Sequence, residues 1–534
     1  MNKKHFEASI NLASLRKGSI REIVTKVKIP NRRFPTPIFI QDDNCFCAGY
    51  FLSYDMNLTG DLIFSLCKKA GWNQLSNFIA DLVILYVDTK VGEINMMTGQ
   101  TGKFPCFFSI EDDWVYISTS FANVRKSLKH IDINPSEVVD FIVWNQASFT
   151  TDNTIFKQIR QLPPATLLSI DCNLKITMIP LINRLSLLKE SADPFPNQED
   201  FTLTLLDRIE YVVKRYCQAV SSSTIATELS SGFDSSLVAY VLKNVLTNKL
   251  LAYTRYSPFM TEDTNLDTVN KFCQKHGITD CPIDISEFYP FSGISDAKKA
   301  KGEYFVTDHG FENHWLVNSL VAKGKETVLF TGHGGDEMYG IHDDTWIRFP
   351  IQFNYFSTLG LVNYGVNEIL TNKGKDILID RNRYSVKMYY PSQFSSSVVA
   401  LGQLYFPIFW ETGVWPLMPL ADPRISEVVK RIPKSLRIPN KRHKMWGSRL
   451  DIFVKEQFVI KRGPDKLVQR FIDERRQLTI DTLKNSVLSE LGLVNVEKIL
   501  NDFANGDTEK YKNGGLPLFL QAVIQLELYL QKKL

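Results

Sequence analysis

The sequence predicts a mixed α/β chain in two parts: a strand-rich α+β part, then a parallel α/β sheet that runs into a helical segment. Three observations carry this. Short apolar runs bounded by turn-formers dominate residues 1 to about 190. Strand-like and helix-like runs then alternate up to about residue 345, the pattern of βαβ units. From about residue 350 the apolar positions recur at helical spacing.

In the first part Pro35–Ile40, Asp81–Val87, Phe104–Ser109 and Trp114–Ser118 read as strands, and Ser136–Trp144 reads as a helix. The polar, proline-containing stretch Ser191–Asn197 is the best linker, which places the domains at 1–195 and 196–534. At ~100–200 residues per domain, 534 residues is too long for a single core.

Composition narrows the function classes. Hydrophobic content of 44% and charged content of 22% are those of an ordinary soluble globular chain. A net charge of +4 and two short basic clusters, Lys441–Lys444 and Lys461-Arg462, read as solvated faces, so no nucleic-acid partner is expected. Residues 1–20 hold no apolar core of a secretory signal, and no run approaches the ~20 apolar residues of a membrane helix. A cytoplasmic protein without a membrane partner is the expectation. The eight cysteines are scattered without a Cys-x-x-Cys pair, so free thiols are expected, and Cys45-Phe46-Cys47 reads as part of a strand, not a metal site.

The chain's chemistry centres on residues 224–245. Ile225, Thr227 and Leu229 alternate as in a strand, while Leu237, Tyr240, Val241 and Val245 recur as in a helix that begins near Ser235 or Ser236. Between them Ser230, Ser231, Gly232, Phe233, Asp234, Ser235 and Ser236 form a tight turn of mostly small residues. Such a strand–turn–helix start is an anion site, because unpaired backbone N–H groups and the helix dipole face one concavity. Asp234 would repel phosphates unless a Mg²⁺ lies between them.

A second stretch has the same design. Thr327–Phe330 reads as a buried parallel strand, followed by Thr331, Gly332, His333, Gly334, Gly335 and Asp336. Glycines at the carboxyl end of a strand let backbone approach a ligand where open α/β sheets bind nucleotides. Asp336 could then share the metal with Asp234.

The first turn resembles the PP-loop, Ser-Gly-Gly-x-Asp-Ser, of enzymes that cleave ATP between the α and β phosphates, with Ser231 replacing the first Gly. Together the two loops resemble the synthetase domain of the asparagine-synthetase family. Pro419–Arg424 and Arg431-Ile432-Pro433 are similar to later stretches of that family, and Thr98–Pro105 and Thr154–Pro164 to its N-terminal glutaminase domain. The resemblance implies a degenerate glutaminase-like, Ntn-type α+β sandwich followed by a PP-loop ATP-pyrophosphatase-like synthetase domain, using ATP and Mg²⁺.

The departures shape the expected function. Family glutaminases expose a Cys at the N-terminus, whereas this sequence starts Met1-Asn2-Lys3 and first shows a cysteine at Cys45. Glutamine hydrolysis is therefore not expected. His333 stands where the synthetases carry Glu, and Trp415 and Leu417 replace Glu and Arg. A changed acceptor site points away from free aspartate. These features resemble the lasso-peptide cyclases, which activate an Asp or Glu side chain of a peptide and close it onto the peptide's own N-terminal amine.

That resemblance implies an AMP-forming macrolactam synthetase acting on a precursor peptide, working alongside a leader peptidase and a leader-binding protein. Relatives supply a catalytic Lys, for which Lys466 and Lys461 are the candidates; His333 is a third catalytic candidate. Asp308, His309 and His314 could line the substrate pocket. Two other readings stay open: an asparagine- or β-lactam-synthetase-like enzyme using free ammonia or an internal amine on a small molecule, and an inactive nucleotide- or peptide-binding scaffold. Retention of both Asp234 and Asp336 argues against the scaffold.

Overall fold

The computed structural model describes residues 5–24, 26–30, 35–55, 57–144, 152–181, 195, 197–221, 223–257, 265–288, 291, 311–335, 365–384, 399, 402–403, 405–429, 431–432, 446–458, 466–512 and 516–531. Its described strands form three sheets.

The first sheet is antiparallel and built from β1 (Glu7–Asn11), β2 (Val27–Lys28), β7 (Phe107–Glu111), β8 (Trp114–Ser118) and β9 (Arg160–Gln161), in the order β2-β1-β8-β7-β9. The second, also antiparallel, comprises β3 (Thr36–Gln41), β4 (Cys45–Ser53), β5 (Ala80–Asp88), β6 (Glu93–Thr98), β10 (Thr166–Asp171) and β11 (Ile176–Pro180), in the order β11-β10-β6-β5-β4-β3. Its inner strands are covered on both faces. Along β4, Phe46, Ala48 and Tyr50 enter the main core, while Cys45 and Cys47 turn the other way onto Ile63 and Cys67 of the helix Gly60–Lys68. This two-sided cover explains why Ala80–Val87 is buried at every position, without the polar alternation of a half-exposed strand.

The third sheet is wholly parallel: β12 (Ile225–Glu228), β13 (Leu251–Tyr256), β14 (Thr279–Asp284), β15 (Val328–Phe330) and β16 (Trp415–Leu417), in the order β14-β13-β12-β15-β16. The helices Phe233–Val245, Leu266–His276 and Phe311–Lys323 lie between successive strands. The chain grows outward from β12 to β14, then crosses back to lay β15 on the other side of β12. The order therefore reverses between β12 and β15, and the crevice outside their carboxyl ends is where such sheets bind ligands.

β16 falls in the part read from sequence as helical. Three residues including a proline give no periodic signal, and an edge place tolerates the missing N–H. The long helix Gln198–Ala219 begins beside the expected linker, capped by Asn197, whose side chain accepts from the Asp200 amide. Beyond residue 465 the described chain is helical, ending in Leu516–Gln531, which packs on the N-terminal-half helix Pro135–Trp144. Among the described residues no helix is long and apolar enough to cross a membrane.

Candidate active site

β12 delivers the chain into the 230–236 turn, and the helix starts at Phe233, two to three residues before the start near Ser235 or Ser236 that the sequence suggests. Gly232 is the residue at the cap, extended at φ −79° and ψ 161°, and makes no side-chain cap bond. The serine hydroxyls hold the turn's shape. The hydroxyls of Ser230 and Ser235 lie 2.9 Å apart, Ser235 Oγ accepts from the Ser230 amide at 3.0 Å, and Ser230 Oγ accepts from the Gly232 amide at 3.2 Å. Ser236 is fully buried and accepts from Gln457 Nε2 at 2.6 Å, while the same amide donates to the Ser231 carbonyl at 3.3 Å. Ser231 Oγ accepts from the Asn265 amide at 3.4 Å. With these hydroxyls engaged inside the turn, an anion at this helix start would be met by backbone N–H groups of the first helical turn, not by the serine side chains. Phe233 is buried against Phe453, with ring centroids 4.5 Å apart, so its side chain anchors the turn.

The second loop leaves β15 and lies directly on this helix start. A Cβ at Gly332 would sit 2.6 Å from Ser235 N and 2.9 Å from the Asp234 carbonyl carbon, so no side chain fits there. At Gly335 a Cβ would fall 2.1 Å from the Asp234 carboxyl carbon. Gly334 takes φ +96° and presses on the Ala421 backbone, where a Cβ would fall 2.4 Å from Ala421 N. Thr331 ties the loop to the neighbouring strand, donating its amide to the Leu417 carbonyl at 2.9 Å. Asp234 thus touches the residue immediately before Asp336. Asp336 itself lies outside the described residues, as do Glu337, Lys461, Asp308 and His309. Lys466 opens the helix Lys466–Glu474, its side chain also outside that set. Among the described residues no three His, Cys, Asp or Glu side chains cluster as a metal centre. The oxygen donors of Asp234 still suit Mg²⁺, which takes one or two carboxylates and leaves its other positions to phosphates and water.

His333 is half-buried at the surface of the crevice, with Nδ1 2.9 Å from Thr331 Oγ1. Desolvation holds its pKa below the usual histidine range; Glu228 opposes that shift and Arg255 adds to it. Glu228 and Arg255 form an ion pair at the carboxyl ends of β12 and β13. A nitrogen of the Arg255 guanidinium lies 3.4 Å from His314 Nε2, and the Tyr405 ring is tilted against His314 with centroids 4.1 Å apart. Sequence reasoning misses this pair, although a glutamate just before the turn in an otherwise neutral strand is a visible signal. It also misses Gln457, which lies 221 positions from its partner Ser236.

Asp422, within the Pro419–Arg424 stretch, is buried and binds Arg424 through both carboxylate oxygens at 2.8 and 2.7 Å. It shapes the turn beneath Gly334 and serves the fold.

A family model described as asparagine synthase matches residues 205–370, a span that holds both loops. That stretch is asparagine-synthase-like. No curated protein matches the chain. Among solved structures, the U34-tRNA thiolase NcsA from Methanococcus maripaludis with its 4Fe-4S cluster is similar at 14% identity and TM-score 0.26, over 58% of this chain and 81% of that one. The glutamine phosphoribosylpyrophosphate amidotransferase from B. subtilis complexed with ADP and GMP is similar at 9% identity and TM-score 0.20, over 50% of this chain and 80% of that one.

Proposed function

We propose that this protein is an ATP-dependent carbon–nitrogen ligase that adenylates a carboxylate and passes the acyl group to an amine, releasing AMP and pyrophosphate. The observation that carries the reading is the seating of the Asp234 carboxylate against Gly335, where two strand-end loops meet at the reversal point of a parallel sheet. The asparagine-synthase match over both loops supports it.

The first helical turn at Phe233–Ser236 would hold phosphate oxygens through backbone N–H groups. Asp234 and Asp336 would hold Mg²⁺, which when bound neutralises charge on the leaving pyrophosphate. Gly332 and Gly335 let the second loop's backbone close directly onto the helix start that would hold the nucleotide. His333, held neutral by desolvation, can take a proton from the attacking amine. Either Lys461 or Lys466 would stabilise the oxyanion of the tetrahedral intermediate.

The finer proposal is a macrolactam cyclase: the carboxylate is an Asp or Glu side chain within a peptide, and the amine is that peptide's own N-terminus. A tethered amine gains the advantage of an intramolecular reaction. His333, Trp415 and Leu417, standing where asparagine synthetases carry Glu, Glu and Arg, support a substrate other than free aspartate. Such an enzyme would work beside a leader peptidase and a leader-binding protein in the cytoplasm. The test incubates the protein with Mg²⁺, ATP and peptides carrying a free N-terminus and an internal Asp or Glu. Peptide lighter by one water, with AMP and pyrophosphate formed in equal amount, is the expected result. Turnover of small carboxylates with ammonia and none of peptides would move the assignment to the small-molecule synthetases.

A further inference from the structure

A buried polar seam joins the second antiparallel sheet to the parallel one. Lys103 and Asp81 form an ion pair at 3.1 Å with side chains only 3% and 0% exposed. Asp81 Oδ2 also accepts from Tyr54 at 2.6 Å and from the Trp415 indole N–H of β16 at 2.7 Å. Lys103 donates a further bond to the Pro416 carbonyl of β16 at 2.9 Å. Burial lowers the Lys103 pKa, with Asp81 opposing. The next residue of β16, Leu417, accepts the Thr331 amide.

A second route runs in parallel. Asp55, next to Tyr54, reaches Arg424 at 3.4 Å; Arg424 grips Asp422; and Asp422 closes the turn whose Ala421 backbone meets Gly334. The Tyr54 ring stacks on Tyr216 of the helix Gln198–Ala219 at 3.9 Å, tying the two routes together.

A buried ion pair is poor at adding stability, since packed apolar side chains serve as well or better, but its geometry is exacting. We propose that Lys103 and Asp81, in the N-terminal half of the chain, are positioning residues for the Thr331–Gly335 loop. They fix β16, β16 fixes Thr331, and the loop's seating on Asp234 follows. The antiparallel half is thereby part of the nucleotide site's frame. The inference rests on the proposed function only where it takes that loop to bind nucleotide.

The experiment uses the full chain. The double substitution Asp81→Asn/Lys103→Met removes both buried charges together, so neither is left unpaired. Trp415→Phe removes the indole donor while keeping an aromatic ring in place, and serves if the double variant fails to fold. Amide hydrogen exchange is read at Thr331–Gly335 and, as an internal control, at Leu229, whose amide donates to the Tyr253 carbonyl between β12 and β13. Mg·ATP affinity is measured by calorimetry on the same samples. The expected result is exchange at least ten-fold faster at Thr331–Gly335 with Leu229 unchanged, and Mg·ATP binding roughly ten-fold weaker. Unchanged exchange in a folded variant, or equal acceleration at both places, would overturn the positioning role. Absence of Mg·ATP binding by the unmodified protein would count against the proposed function alone, since the exchange comparison needs no ligand.

Discussion

Gly332→Ala is the sharpest structural probe of the site. The added methyl would meet three backbone atoms, Ser235 N at 2.6 Å and the Asp234 carbonyl carbon and Ser235 Cα at 2.9 Å each. None is the far end of a flexible side chain, so the loop and the helix start must separate. Overpacking of this kind costs ~1–3 kcal/mol. If all of it opposes the assembled site, kcat/KM for ATP falls by about 5- to 150-fold, at ~1.4 kcal/mol per factor of ten. The assay is pyrophosphate release at several ATP concentrations, with the melting temperature followed in parallel. Gly60→Ala is the control, because its nearest neighbours would lie at ordinary contact, 3.5 Å. A Gly332→Ala protein with unchanged turnover and an unchanged melting temperature would refute the close seating of the two loops.

Arg424→Gln leaves the buried Asp422 carboxylate without its bidentate partner, and loss of one member of a buried pair costs ~3–5 kcal/mol. The shift of the urea midpoint measures it, and Asp422→Asn in the same protein should recover most of the loss. Because desolvation depresses the His333 pKa in the fold, the unfolded chain binds the proton first as pH falls below ~6.5, so stability should decline there. Melting curves at pH 7.5 and 5.5 should show that decline in the unmodified protein and a smaller one in His333→Asn; identical declines would contradict it. Burial pushes the Cys273 thiol up to about 12, so iodoacetamide at pH 8 should leave Cys273 unlabelled until the protein unfolds, as peptide mass spectrometry can check.

Local signals are legible in the sequence and distant ones are not. The strand at Ile225–Glu228, the turn and the buried strand Val328–Phe330 can be read because alternation, small residues and an apolar run all act over a few positions. The helix start is misplaced because a serine-rich turn looks like a side-chain cap, whereas Ser230 and Ser235 bond each other and glycine occupies the cap. The reversal of strand order, which creates the crevice, is a property of the assembled sheet. Lys103 cannot be recognised as part of the frame, since its partner at Pro416 is 313 positions away and no local pattern marks the pair. Thr98–Pro105 stands out in the sequence only for its likeness to a glutaminase segment, yet one of its members, Lys103, braces another sheet.

The most direct measurement of the central claim is the fate of ATP's phosphates. With Mg²⁺ and a competent carboxylate and amine, ATP labelled at the α-phosphate should yield labelled AMP, with pyrophosphate in equal amount, and Asp234→Asn should abolish this without altering the melting temperature by more than a few degrees. Labelled ADP in place of AMP, or an Asp234→Asn protein as active as the unmodified one, would contradict the account.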